Sequence, residues 1–210
     1  MTIHEPRTRQ ELERLLAPMH LTSSRFERAV SVGAAERRSF SPGAPKSAGE
    51  MNRWFRTVEA LHEELMLGRG GWRRSDPQNL PYFSNQEARV GLVVSSGDHA
   101  TGVAFMNPTT RNPKGAAFVR RVEDNGMDAL FEYGLTDDVE VDRVHLWVCL
   151  YDERDGFVHL ELSRPVSVTG SQVDDWSDRI IFPPFDLTSN AFAYDDDRDE
   201  GDFGFTIARR

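Results

Sequence analysis

The stretch SSGDHATGVAFMNPTTRNPKG, residues 95–115, gathers the chain's most suggestive chemistry. It places Asp98 16 residues before Lys114, in a run of Gly, Thr, Asn and Pro. Lysine is scarce: 23 arginines accompany only Lys46 and Lys114. A lysine amine is a compact point charge that grips phosphate. Thr109, Thr110 and Arg111 can add donors beside it. If residues 113–124 are helical, with Asn112 as cap and Pro113 at the first position, Lys114 sits in the first turn. A cation there opposes the helix dipole by roughly 0.3–1 kcal/mol, so a nearby negative charge is expected, from a ligand phosphate or from Asp98. The plain alternatives are an internal Asp98–Lys114 pair or a solvated lysine. The spacing fits neither G-x-x-x-x-G-K-[ST] nor G-x-G-x-x-G.

A catalytic version uses the same residues. Asp98 would hold Mg²⁺ and Lys114 would stabilise the attacked phosphate of a metal-dependent phosphodiesterase or nuclease. In a D…(D/E)-x-K arrangement Asn112 stands where an acid is needed, which removes a charge that Mg²⁺ relies on. Such a site needs further ligands, for which His99, Glu87, Asp76 and Glu123 are candidates.

A weaker cluster lies on an expected hairpin of strands 143–151 and 157–163. Matching Val144, Leu146, Val148 and Leu150 to Val158, Leu160 and Leu162 pairs Tyr151 with Phe157. Cys149 then faces His159, Trp147 faces Glu161 and His145 faces Ser163. A base opposite a thiol can activate it, and His159 with Glu161 can hold a metal. His145 and Cys149, about 13 Å apart along the strand, cannot share one ion. The plain alternative is a sheet buried on both faces with Cys149 as filler.

Residues 70–88 lack a sustained period and read as a long loop in which Trp72, Arg73 and Arg74, with Tyr82 and Phe83, can stack on and grip a nucleotide or single strand. Alternatively, its aromatics pin it to the body. The segment FAYDDDRDEGDFGF spaces Asp195, Asp197 and Asp199 like the start of an EF-hand. Glu200 and Thr206 stand where Gly and Glu are required, so an EF-hand is excluded. It reads as a solvated acidic turn or a docking surface for a basic protein partner.

These residues need a scaffold. Thr8/Glu11, Ser24/Glu27 and Ser47/Glu50 are Ser/Thr-x-x-Glu capping signals. A short stripe of Leu12, Leu15 and Leu16 follows the first. Met51, Trp54, Phe55, Val58, Leu61, Leu65 and Met66 form the clearest 3.6-residue stripe, closed by Gly68. A helix over 24–38 lies between them. Val90–Ser95 reads as a strand. Residues 113–124 read as a helix stopped by Asn125-Gly126, with a strand over GAAFVRRV as the alternative. Further strands fall near Arg179–Phe182 and on Phe203, Phe205 and Ile207. The expected fold is α+β: an N-terminal helical layer, then a mainly antiparallel sheet with one or two packed helices. The organisation is a helical region 1–68, an aromatic and arginine-bearing loop 69–88, an α+β core 89–187 and an acidic segment 188–210.

At 210 residues and 39% hydrophobic the chain can bury a core. It has no apolar run long enough to cross a bilayer, no secretory leader pattern, and a single cysteine, Cys149. A cytoplasmic protein without a membrane partner is expected. Net charge is −9, with basic residues concentrated in 1–121 and acidic ones in 122–210. That excludes a whole-chain basic footprint for duplex nucleic acid. The expected function is a non-catalytic binding or accessory protein for a phosphate-bearing ligand, nucleic acid or protein partner. The alternative is the metal-dependent phosphodiesterase, the only version that calls for Mg²⁺.

Overall fold

A cap starts the chain's first helix where the sequence puts it. Thr8 Oγ1 accepts from the Glu11 N–H at 3.2 Å, and the Glu11 carboxylate accepts from the Arg7 N–H at 2.8 Å. The computed structural model describes residues 1–68, 70–132 and 144–187. In it α1 (Arg9–Leu16), α2 (Ser23–Arg38) and α3 (Lys46–Leu67) form the N-terminal layer. The other two capping signals are not used. Glu13 of α1 instead accepts from the Ser23 N–H at 3.0 Å and the Ser23 hydroxyl at 2.7 Å, which ties α2 to α1. Ser47 lies inside α3 rather than before it. Leu12, Leu16, Phe26, Val30, Val58, Leu61 and Leu65 bury the inner faces of these helices. Gly33 lets α2 and α3 meet: a Cβ there would lie 2.0 Å from Thr57 Oγ1 and 2.6 Å from the Arg53 carbonyl oxygen.

The helices cover one face of an eight-stranded sheet. Its strands are β1 (Thr2–His4), β2 (Arg73–Ser75), β3 (Tyr82–Asn85), β4 (Val90–Ser96), β5 (His145–Arg154), β6 (Phe157–Thr169), β7 (Gln172–Ile181) and β8 (Phe185–Asp186). Their order is β1-β7-β6-β5-β4-β3-β2, and β8 also pairs with β6. The pairs β1–β7 and β4–β5 are parallel and the rest antiparallel. The α+β class and the order of its parts are those expected from the sequence. The 70–88 segment differs: it builds β2 and β3 at the sheet edge instead of an irregular loop. Strands of three and four residues leave too little alternation to read. The expected strand on Phe203, Phe205 and Ile207, with the acidic segment around it, lies outside the described residues.

The hairpin register is corrected by three residues. Cys149 pairs with Leu162, Leu150 with Glu161, Asp152 with His159 and Arg154 with Phe157. The turn is the two residues Asp155 and Gly156, with φ of 54° and 83°, the doubly left-handed pattern favoured by Asp-Gly in tight hairpins. Matching apolar faces misleads here because both faces are covered. Cys149, Tyr151, Leu160 and Leu162 pack toward α1–α3, while Leu146, Val148 and Leu150 pack with Phe118 and Val122 of α4 (Ala116–Glu132) on the other side.

Asn125-Gly126 does not stop α4, which continues through it. Asn125 is buried and donates through Nδ2 to the carbonyls of Leu146 at 2.8 Å and Pro165 at 2.9 Å. Its Oδ1 accepts from the Leu146 N–H at 2.9 Å. A Cβ on Gly126 would stand 2.8 Å from the Val166 carbonyl oxygen, so this glycine admits the strand backbone. Tertiary contacts override the usual stop signal.

A fully buried ion pair ties the sheet to the loop after β4. Arg179 Nε and Nη2 donate to the two Glu161 carboxylate oxygens at 3.1 and 2.6 Å, and both residues are 0% exposed. Arg179 also donates to the carbonyls of Met106 at 2.7 Å and Val103 at 3.3 Å. Glu161 accepts from the Gly102 N–H at 2.8 Å and the Ser163 hydroxyl at 2.7 Å. Removing one partner of such a pair strands a buried charge. Glu161→Leu is expected to lose about 3–5 kcal/mol of unfolding free energy in denaturant titrations, and Glu161→Leu with Arg179→Met to recover part of it. A single variant as stable as the wild type would refute that role.

Candidate functional site

Near its end β4 turns from apolar to polar. The buried run Leu92, Val93 and Val94 is followed by Ser95 and Ser96, which close the strand on opposite faces of the sheet. The chain then makes a loop and returns through a bridge between Gly97 and Thr110, with the Arg111 N–H donating to the Ser96 carbonyl at 3.0 Å. The loop is held by the Arg179–Glu161 pair, by Trp176 Nε1 donating to the Pro108 carbonyl at 2.9 Å, and by Asn107 Nδ2 donating to the Asp174 carbonyl at 2.7 Å. Just beyond it the Lys114 N–H donates to the Ser171 carbonyl at 2.7 Å.

A cleft of about 660 Å³ opens at this carboxyl end of β4, between α3 and the start of α4. In open parallel sheets with flanking helices, ligands bind outside the carboxyl ends of the strands, and β4 and β5 are a parallel pair at this end. One wall is Met51 and Trp54 of α3, the other Lys114 and Phe118, with Leu80 and Val93 adding apolar surface. Trp54 is fixed by its Nε1, which donates to the Val94 carbonyl at 3.0 Å.

Lys114 supplies the charge. Its Nζ donates to Ser95 Oγ at 2.6 Å and lies 5.9 Å from the centre of the Phe118 ring. Among the described residues it forms no ion pair. Burial lowers its pKa from 10.5 to about 8. The expected Asp98–Lys114 pair is therefore absent. Lys114 is also not in a helical first turn. α4 begins at Ala116, and its first backbone bonds run from the Phe118 and Val119 N–H groups to the Gly115 carbonyl. Asn112 and Pro113 are exposed and precede the helix. The amine is disfavoured by its partial burial in the cleft wall, not by the helix dipole.

Of the other expected site residues, Arg111 lines the cleft and bonds Asp152 Oδ1 at 2.6 Å. Thr109 and Thr110 do not line it, and Thr110 is 0% exposed. Asp98 is used locally, its Oδ1 accepting from the Ala100 N–H at 3.1 Å. No group of three or more His, Cys, Asp or Glu side chains suited to a metal ion occurs among the described residues, so Asp98 does not form such a group with His99, Glu87, Asp76 or Glu123. Trp72 is buried and its Nε1 donates to the His20 carbonyl at 3.3 Å, which pins its segment to the body. Arg73 and Arg74 stand on the exposed edge strand β2, with Arg74 paired to Asp76 at 3.1 Å. None of the three lines the cleft. Cys149 does not meet His159, and burial pushes its thiol far above the ordinary range, which leaves it unreactive. His159, lowered by burial and by Arg154, pairs across the ladder with Asp152. Glu161 is consumed by Arg179.

Sequence reading missed Ser95, Trp54 and Phe118 as cleft residues, and it missed Arg53. Arg53 precedes Thr57 and Leu61 by four and eight residues, and both of those are 0% exposed. A charged residue on the buried side of a helix was the available signal. Compared with protein-family models, curated proteins and solved structures, the chain matches none.

The low Lys114 pKa has a signed consequence. Below about pH 8 the amine is charged in both folded and unfolded chains, and the fold bears the cost of burying it. Above about pH 10.5 it is neutral in both. Between these values the unfolded chain binds more protons, so stability rises with pH. Wild type is expected to gain on Lys114→Met across that window by no more than about 3 kcal/mol. Denaturant titrations at pH 7.5 and 10 measure it, and parallel pH profiles for the two proteins would contradict a desolvated amine.

Proposed function

We propose that the chain is a non-catalytic binding or accessory protein that engages a small phosphate-bearing ligand in the cleft at the carboxyl end of β4. The observation that carries this reading is the Lys114 amine, desolvated at the cleft wall with a neutral serine hydroxyl as its hydrogen-bond partner. An anion would supply the missing charge and raise the amine's pKa again. The apolar surface of Trp54, Leu80 and Phe118 suits the body of such a ligand, in the usual mixture of apolar walls and few polar anchors. Neither Trp72 nor the Arg73–Arg74 strand adds a stacking platform to the cleft, which favours a small ligand over a nucleic-acid strand.

Thermal-shift measurements with inorganic phosphate and a panel of nucleotides test the reading. A bound member at a hundred times its dissociation constant should stabilise the protein by about 2.7 kcal/mol, a rise in Tm of several degrees. Lys114→Met should remove the shift, and wild-type affinity should fall as pH rises through about 8, where the amine loses its proton. An unchanged Tm with every member of the panel would count against the proposal.

A further inference from the structure

Beside the cleft lies a polar notch that a single phosphate on Lys114 leaves unused. It measures about 30 Å³, lies at the carboxyl ends of β4 and β5, and shares Glu50, Ser96 and Arg111 with the cleft. Arg53 of α3 lines it and is 3% exposed. Its Nη1 donates to Glu153 Oε2 at 2.9 Å, and its Cζ lies 4.8 Å from the centre of the Tyr151 ring. Its Nε and Nη2 have no hydrogen-bond partner among the described residues. A guanidinium has five donors, and leaving buried ones unfilled is costly.

The neighbouring carboxylates are already shared. Glu153 meets Arg37, Arg38 and Arg53, Asp152 meets Arg111 and Arg154, and Glu50 meets Arg37. The notch's own lining is balanced, Arg37, Arg53 and Arg111 against Glu50, Asp152 and Glu153, and Arg38 and Arg154 join the same ion-pair network from outside it. A volume of this size has room for about two oxygen atoms, enough for the end of one oxyanion group but not for a whole ligand.

We infer that the notch is a second anion subsite, so that the ligand carries two linked oxyanion groups, one on Lys114 and the other on Arg53, Arg111 and Ser96. This rests on the cleft's being a phosphate site. The cleft and the notch meet at Glu50, Ser96 and Arg111, so a group in the cleft can extend into the notch. A diphosphate is the simplest group that does so.

Calorimetric titration of the full chain with inorganic phosphate and with pyrophosphate tests the inference. Wild type should bind pyrophosphate about tenfold or more tightly than phosphate, from the added charge-assisted hydrogen bonds. Arg111→Gln should erase the preference. Arg111 is 47% exposed on its side chain and Asp152 keeps Arg154 as a partner, so the fold does not depend on it. Arg53→Met should act in the same way, checked for folding by its melting transition. Lys114→Met should weaken both anions. Equal wild-type affinity for the two anions, or a preference that survives Arg111→Gln, would overturn the second subsite and leave the cleft's phosphate site standing. If neither anion binds wild type, both fall.

Discussion

The contact on which the site depends most is the buried pair of Arg179 and Glu161. A charge pair at zero exposure is tolerated only when its geometry is good and its remaining donors and acceptors are filled. Here they are: the two side chains bind each other through two bonds and then reach Gly102, Val103 and Met106. The loop after β4 is therefore held from within by β6 and β7. Because that loop returns beside Ser96, the same pair fixes where Arg111 and Lys114 leave the sheet. An apolar substitute of similar volume could fill the space but could not hold three backbone groups of the loop.

Around that anchor the charges are arranged unevenly. Arginines dominate the carboxyl ends of β4 and β5, where each is partnered in part, while Lys114 forms no ion pair with a described carboxylate. The difference in residue type matters. An arginine stays charged wherever it is placed, whereas a lysine amine can yield its proton when desolvated. At Lys114 burial brings that change close to neutral pH. The cleft thus holds fixed positive charge on one side and an adjustable one on the other.

The large features are legible in the sequence: the helix α3, although Met51, Phe55 and Met66 of its apolar stripe stay exposed, the strand that ends near Ser95, the helical layer before the sheet, and Lys114 as the unusual residue. What stays hidden has physical causes. The β5–β6 register cannot be read from apolar faces because both faces of the sheet are buried, while the Asp155-Gly156 turn, which sets it, is only two residues long. Asn125 and Gly126 look like a helix stop but serve contacts to Leu146, Pro165 and Val166, elements distant in the chain. Lys114 stands out in the sequence for a reason that fails, the helix dipole, and holds interest for another, its burial. Arg53 is concealed inside a helix that reads as a packing element.

The pairing of β1 with β7 joins Thr2 to Asp178 and His4 to Ile180. During synthesis the first strand must therefore wait, unpartnered, until nearly all of the described chain has been made. Once docked, those three residues cap part of the outer edge of β7, whose backbone groups would otherwise offer a template for pairing with another chain. A bulky fusion placed directly before Thr2 would crowd that seam, so purification handles belong on a spacer.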